Sequence, residues 1–266
     1  MELYFKVLPY VLAGLFGLCV GSFLNVVIYR VPAGLNLSLP SSHCPKCKYV
    51  LKWYDNIPVI SYIMLGGKCR KCKQKISIRY TIVEIVNMLL WLLSAFLFWN
   101  VSIPFACFAA VISSLLLCIF FIDLEHKLIF DRFIIIIGVI GIAATFLDPY
   151  YDWFSHVIGG ALGFGFFYGI ALLFFKLKNK EGLGGGDIKL SAVMGLFLGW
   201  ERLMLSILIA TISASIILVI LSHKGKKDKT DEEKEYPFGP FLTVGFAISM
   251  FAGNYIIDAY LSLLGL

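Results

Sequence analysis

Charge is scarce in this chain: Asp, Glu, Lys and Arg make up 15% of its residues, against about 25% in soluble domains. Hydrophobic residues rise correspondingly to 59%, more apolar surface than one soluble core of this size can hide, which excludes an ordinary water-soluble globule. Other features are missing as well. No internal repeat or long low-complexity tract stands out, and no small-x-small cleavage site follows the first apolar run. Tyr29-Arg30-Val31-Pro32 stand there instead, so the run reads as a permanent helix rather than a removable signal. There is no glycine-rich nucleotide loop of the kind soluble methyltransferases carry.

What the chain has in place of charge is a series of long apolar runs: Val7–Tyr29, Ile82–Phe98, Phe105–Ile122, Phe133–Leu147, Val157–Phe175, Leu190–Trp200, Leu203–Leu221 and Phe241–Ile257. Most reach the roughly 17–25 residues that a helix needs to cross the hydrocarbon. The run Leu190–Trp200 is short and must borrow the glycines and Asp187 before it. The expected fold is an all-α polytopic membrane protein of about eight transmembrane helices. Three regions follow: a first helix over 1–29, a cytoplasmic cysteine loop over 30–80, and a seven-helix membrane domain over 81–266.

The net charge of +6 does not call for a nucleic-acid partner, because the cations are confined to one side. With the 30–80 segment in the cytoplasm, the loops on that side are 30–80, 123–132, 176–189 and 223–239. They hold every Lys and Arg of the chain except Lys6 and Arg202. The opposite segment Asp148–Ser155 holds none. This is the positive-inside pattern, with the lipid bilayer as partner and both termini outside. The segment Lys224–Glu235 reads as a solvated charged loop.

The loop of residues 30–80 carries Cys44-Pro45-Lys46-Cys47 and Cys69-Arg70-Lys71-Cys72. Two C-x-x-C turns at this spacing can close a tetrahedral zinc site with Cys44, Cys47, Cys69 and Cys72 as ligands. Disulfides are disfavoured in a reducing cytoplasm, and a redox dithiol is the other reading. Four protein ligands leave no open position, so the metal folds a loop too small for its own core. His43 is a spare candidate ligand. Cys19, Cys107 and Cys118 are isolated in apolar runs and read as small buried hydrophobes.

Acids inside apolar spans are costly and therefore informative. Asp123 closes the third run, and Asp187 follows Gly182-Leu-Gly-Gly-Gly186 at the start of the sixth. By topology both lie at the cytoplasmic face. Two carboxylates converging there can share a proton, one activating water while the other polarises a peptide carbonyl. The glycines, Gly184 and Gly186 among them, would let a backbone approach closely and permit φ > 0 at the helix entrance. Taken alone, the pair fits a proton-coupled transporter as well as a peptidase; a membrane scaffold acting through the cysteine loop is a third class. Glu125 reads as a solvated loop acid, and Asp131 competes for a role or caps the fourth span. Glu84, an acid early in the second span, calls for a partner such as Arg30 or Arg79, or a substrate amine. Arg79, Lys189 and Asn25 are candidate site-rim groups, Lys189 equally an ordinary basic anchor.

Several stretches, taken in order, resemble one family. Gly21-Ser-Phe-Leu-Asn25 with Tyr29-Arg30-Val-Pro32, the Cys44–Cys72 segment with Trp53-Tyr-Asp55-Asn-Ile-Pro58 inside it, and Ile76-Ser-Ile-Arg79-Tyr-Thr-Ile-Val-Glu84 come first. Asp123 through Asp131, Gly184-Gly-Gly-Asp187-Ile-Lys-Leu190 and Pro237-Phe-Gly-Pro240 follow. Together they resemble the type IV prepilin peptidases, bacterial GxGD-type aspartyl peptidases. The resemblance implies catalytic aspartates at Asp123 and Asp187. It implies prepilin or pseudopilin substrates cut after a glycine at the cytoplasmic face of the bacterial plasma membrane. It also implies N-methylation of the new N-terminus, commonly phenylalanine, with S-adenosylmethionine as donor. Phe130 stands where the family commonly has proline, and Gly185 occupies the variable position of the glycine motif.

Overall fold

The computed structural model describes residues 2–179, 182–224 and 236–265; most of the charged Lys224–Glu235 segment lies outside them. Every long element is a helix. A bilayer offers the backbone no water, so each apolar run must satisfy its own N–H and C=O groups within itself. The helices are α1 (Glu2–Arg30), α2 (Ile60–Met64), α3 (Arg79–Phe98), α4 (Ile103–His126), α5 (Asp131–Thr145), α6 (Trp153–Lys178), α7 (Gly185–Leu198), α8 (Trp200–Lys224) and α9 (Gly239–Leu263). All eight apolar runs are helical, and among the described residues six of the helices are long and apolar enough to cross a membrane. Helices α5 and α7 have 15 and 14 residues. At 1.5 Å per residue they reach roughly 21–23 Å, short of the ~30 Å hydrocarbon core. Length and composition by themselves thus mark six crossings among the described residues. Helix α7 does take in the last two glycines and Asp187, as its short apolar run required.

Two compact units emerge, residues 1–100 with 109–118, and residues 101–108 with 119–266. In the first, α1 and α3 meet closely enough that a Cβ on Gly17 would lie 2.9 Å from the Met88 Cα. The fully buried Asn87 donates to the Gly17 carbonyl at 2.7 Å and accepts from Ser114 at 2.8 Å. Ser114 also accepts from the Trp91 indole at 2.9 Å. A short polar chain thus fixes the register of three apolar helix segments, each donor paired because hydrocarbon leaves no alternative.

In the second unit, α6 and α7 pack backbone to backbone. A Cβ on Gly195 would lie 2.1 Å from the Gly159 carbonyl oxygen, and one on Gly163 would lie 2.3 Å from that of Ser191. The Ser191 hydroxyl donates to the Gly163 carbonyl at 2.9 Å. Small residues at such spacing let membrane helices approach where apolar burial alone gives no drive. At one end of this unit Arg202, a buried exception to the basic-side rule, donates to Asp148, whose side chain is also buried. His156 completes the cluster, with Nε2 3.4 Å from Asp148 and Nδ1 3.1 Å from the Leu196 carbonyl. The Arg202 guanidinium also lies 4.6 Å over the Tyr151 ring. Paired in this way, a cation can sit on the side the topology leaves without basic residues.

Candidate active site and metal centre

Ser102 accepts from the Phe105 N–H at the start of α4, and Lys127 ends that helix in the left-handed conformation. Helix α4 therefore runs past Ile122, and Asp123 sits in its last full turn rather than beyond it. The side chain is buried, 5% of the residue's surface remaining accessible. Gly239, the start of α9, packs directly on it: a Cβ there would come within 2.5 Å of Asp123 Oδ2, and the Gly239 N–H is the carboxylate's backbone donor. Asp187 lies in the first turn of α7, where a negative charge suits the helix dipole. Gly184 presents its N–H to it.

One side chain links the two acids. Ile129, in the turn between α4 and α5, lies 2.8 Å from the position of a Cβ on Gly186 and 3.1 Å from that of one on Gly239. Asp187–Gly186–Ile129–Gly239–Asp123 is thus one contiguous neighbourhood, and the carboxylates are close enough to interact electrostatically. Asp123 Oδ2 and Asp187 Oδ1 are both buried without a donor. Among the described residues neither acid has a Lys or Arg partner.

The neighbouring candidates behave differently. Asp131 does not cap α5: Phe130 is the N-cap, and Asp131 is the first helical residue. Its carboxylate receives the Lys189 ammonium at 2.8 and 3.0 Å, tying the starts of α5 and α7 together. Both side chains are more than half exposed, so the tie is weak. The glycines before Asp187 do not use left-handed backbone: Gly184 has φ −67° and ψ 137°, and neither Gly185 nor Gly186 has positive φ. Helix α7 starts directly from an extended residue, which any side chain can supply. What the glycines provide is space. Gly186 makes room for Ile129, Gly182 for the Phe174 ring, and Gly185 faces open surroundings.

Asn25, Arg79 and Glu84 belong to the first unit. Glu84 does not take Arg30 as its partner. Arg30 donates instead to the Asn36, Leu37 and Pro40 carbonyls at 2.9, 3.1 and 2.5 Å, bracing the chain where it leaves α1. Glu84 accepts from the Val59 N–H at 2.8 Å and from Ser22.

The four loop cysteines converge: their Sγ atoms all lie within 4.8 Å of one another. Cys44 and Cys72 are 3.8 Å apart, Cys47 and Cys69 3.9 Å. A tetrahedron of Zn–S bonds of ~2.3 Å has S···S edges of about 3.8 Å, so the donor set fits zinc. The two turns share one geometry. Cys44 N–H donates to the Tyr49 carbonyl and Lys48 N–H to that of Cys44; Cys69 N–H donates to Gln74 and Lys73 N–H to Cys69. Lys48 and Lys73 both adopt positive φ. The N–H groups of Cys47 and Lys46 pull the Cys44 thiol below its usual range, which favours the thiolate a metal would need.

Two functional positions escaped the sequence reading. Gly239 stood in Pro237-Phe-Gly-Pro240 with no role assigned, and nothing local signals its contact with Asp123. Asp55 was one letter of a motif, yet it joins both cysteine turns. It accepts from Arg70 at 2.7 Å, Tyr49 at 3.2 Å and the Lys52 N–H at 3.2 Å. A buried-prone acid flanked by aromatics inside a cysteine loop was the available clue.

Fold and site together define a multi-pass helical membrane protein with a buried carboxylate pair, free of cations among the described residues, and a four-cysteine module. The bacterial peptidase A24 N-terminal domain matches residues 15–98, and the type IV leader peptidase family matches residues 110–219. A prepilin leader peptidase/N-methyltransferase of Pseudomonas aeruginosa is 32% identical over 94% of this chain and 93% of its own length. Those of Legionella pneumophila and Myxococcus xanthus are 35% and 37% identical, over 95% and 91% of this chain and 94% and 72% of their own lengths. No solved structure matches. The chain belongs to the type IV leader peptidase family.

Proposed function

We propose that this chain is a prepilin leader peptidase and N-methyltransferase, with Asp123 and Asp187 as the catalytic pair of the peptidase. The observation that carries the assignment is the shared neighbourhood through Ile129 and Gly239, in which each acid keeps a buried oxygen without a donor. Two carboxylates in one dry site cannot both ionise freely. The ionised one takes a proton from water as that water attacks the scissile carbonyl. The protonated one donates to the carbonyl oxygen, where negative charge develops. The Gly239 N–H holds Asp123, and the Gly184 N–H faces Asp187. A transporter would use the same acids as relay groups, but it has no use for the four-cysteine module.

The substrate class is a prepilin or pseudopilin whose apolar N-terminal helix lies in the bilayer. The basic flanks support a cytoplasmic position, at a bacterial plasma membrane, for the cysteine loop and the carboxylate pair. Cys44, Cys47, Cys69 and Cys72 would hold a structural zinc ion, whose contribution is to fold the loop. S-adenosylmethionine would supply the methyl group. Gly184, Gly186 and Lys189 line or support the pair, and Lys189 acts through Asp131.

Reconstitution with a prepilin bearing its leader tests the reading. The wild-type chain is expected to release the leader and, given S-adenosylmethionine, to add one methyl group to the mature product. Asp123→Asn and Asp187→Asn should each leave the helical content intact and stop cleavage. Cleavage by either variant at the normal rate would remove that residue from the pair.

A further inference from the structure

The first unit holds a second unusual acid. Glu84 is buried in the α1–α3 contact, 8% exposed, and among the described residues no Lys or Arg pairs with it. Val59 N–H and Ser22 reach its carboxylate. Gly21, one residue before Ser22, packs so closely that a Cβ there would lie 2.8 Å from the Glu84 Cα. One turn along the same face of α1 is Asn25, 5% exposed, whose Nδ2 donates to the Gly21 and Tyr80 carbonyls at 3.3 and 3.0 Å. Those two carbonyls fix the orientation of the amide, because only its NH₂ can serve them. The Oδ1 is therefore an acceptor, and it is buried without a donor. Tyr80 and Glu84 stand one turn apart on α3, so the orphaned oxygen and the unpaired carboxylate share one helix contact.

This cluster is rich in acceptors, and among the described residues no cation faces the Glu84 carboxylate. Burying such a set costs several kcal/mol unless a cationic donor completes it. Val59 adds a second sign of a constrained site. It is a β-branched residue held at φ 62° and ψ −49°, a conformation such residues rarely adopt, and its N–H is the one that reaches Glu84. The cluster is half open at one side, where Ser22 is partly exposed and Tyr80 is 39% exposed.

We propose that Asn25 and Glu84 form a binding subsite for a primary ammonium group, its N–H donors directed at Asn25 Oδ1, the Glu84 carboxylate and Ser22. An –NH₃⁺ group has three donors and one positive charge, which is what the cluster lacks. The subsite rests on the methyltransferase reading above, where both reactants carry this group. One source is the free α-amine of the processed pilin; the other is the amino-acid end of S-adenosylmethionine.

Binding to the full-length protein in detergent, with each ligand alone, tests the subsite without needing turnover. The probes are S-adenosylmethionine, a processed pilin N-terminal peptide with a free Phe amine, and the same peptide N-acetylated. Glu84→Gln keeps an acceptor for the Val59 N–H and removes the charge. Losing a charge-assisted bond of about 1.5–3 kcal/mol should weaken the ammonium-bearing ligand roughly ten- to hundredfold, with zinc content and loop protection unchanged. Loss confined to the free-amine peptide identifies the substrate as the source; loss confined to S-adenosylmethionine identifies the donor. Unchanged affinity for both overturns the subsite. Should Glu84→Gln fail to fold, the wild-type protein decides. It must prefer the free amine over the acetylated peptide, or S-adenosylmethionine over its desamino analogue, and absence of both preferences also overturns the proposal. Methylation of the processed peptide by the wild type reports separately on the methyltransferase reading.

Discussion

Asp123 and Asp148 are both buried aspartates of the second unit, and they are provided for in opposite ways. Asp148 is met by Arg202 and His156, with Tyr151 stacked on the guanidinium. Asp123 interacts with a second carboxylate and receives one backbone N–H, from Gly239. A buried acid given a cation is a structural joint, holding the Asp148 loop to the start of α8. A buried acid given another acid remains available to exchange a proton. Acid content alone does not mark a site; the character of the partner does.

The largest effect expected on this comparison is at the carboxylate pair. Asp123→Asn should lower the cleavage rate by at least about 10³-fold, the upper range for a lost general acid or base, with little change in thermal stability. The far cluster should respond in the reverse sense. Arg202→Met strands Asp148 as a buried unpaired charge and should cost about 3–5 kcal/mol in thermal unfolding; adding Asp148→Asn should recover much of it. If Arg202→Met unfolded like the wild type, the joint would not be structural.

The cysteine module offers a third case, a buried acid with a half-exposed cation. Burial opposes ionisation of Asp55, but Arg70, the Lys52 N–H and Tyr49 outweigh it and hold the carboxyl below its usual range. A lowered folded value contributes stability that is complete above the unfolded pKa of about 3.9 and lost as pH falls through the folded one. Asp55→Asn should therefore destabilise the loop at neutral pH and flatten its acid dependence below about pH 4. Zinc release and amide exchange at matched pH would measure both. The smallest effect belongs to the exposed Asp131–Lys189 pair. Asp131→Asn should change stability by less than about 1 kcal/mol and leave cleavage near the wild-type rate. A loss comparable with that of Asp123→Asn would return Asp131 to the catalytic set.

Much of the architecture was legible in the residues. Long apolar runs must be helices in hydrocarbon, so their number and order followed from composition, and the convergence of Cys44, Cys47, Cys69 and Cys72 followed from the spacing of two C-x-x-C turns. Lengths were less legible. Apolar content marks a run, but it does not say that α5 and α7 end after 15 and 14 residues, where the Thr145–Phe146 turn and Gly199 stop them. The glycines near Asp187 were read for backbone freedom, whereas neighbours such as Ile129 and Phe174 are what require them.

The division between sequence and structure falls along the range of the interactions. Local patterns determined the membrane class, the helices, the four paired cysteines and the two acids worth attention, because each depends on neighbours within a turn or a loop. Which acid meets which partner was decided only by tertiary packing. Gly239 reaches Asp123 from 116 positions away along the chain, Arg202 reaches Asp148 across two helices, and Val59 reaches Glu84 from the cysteine loop. Side chains that far apart leave no periodic trace, since what selects them is the geometry of the closed helix contacts.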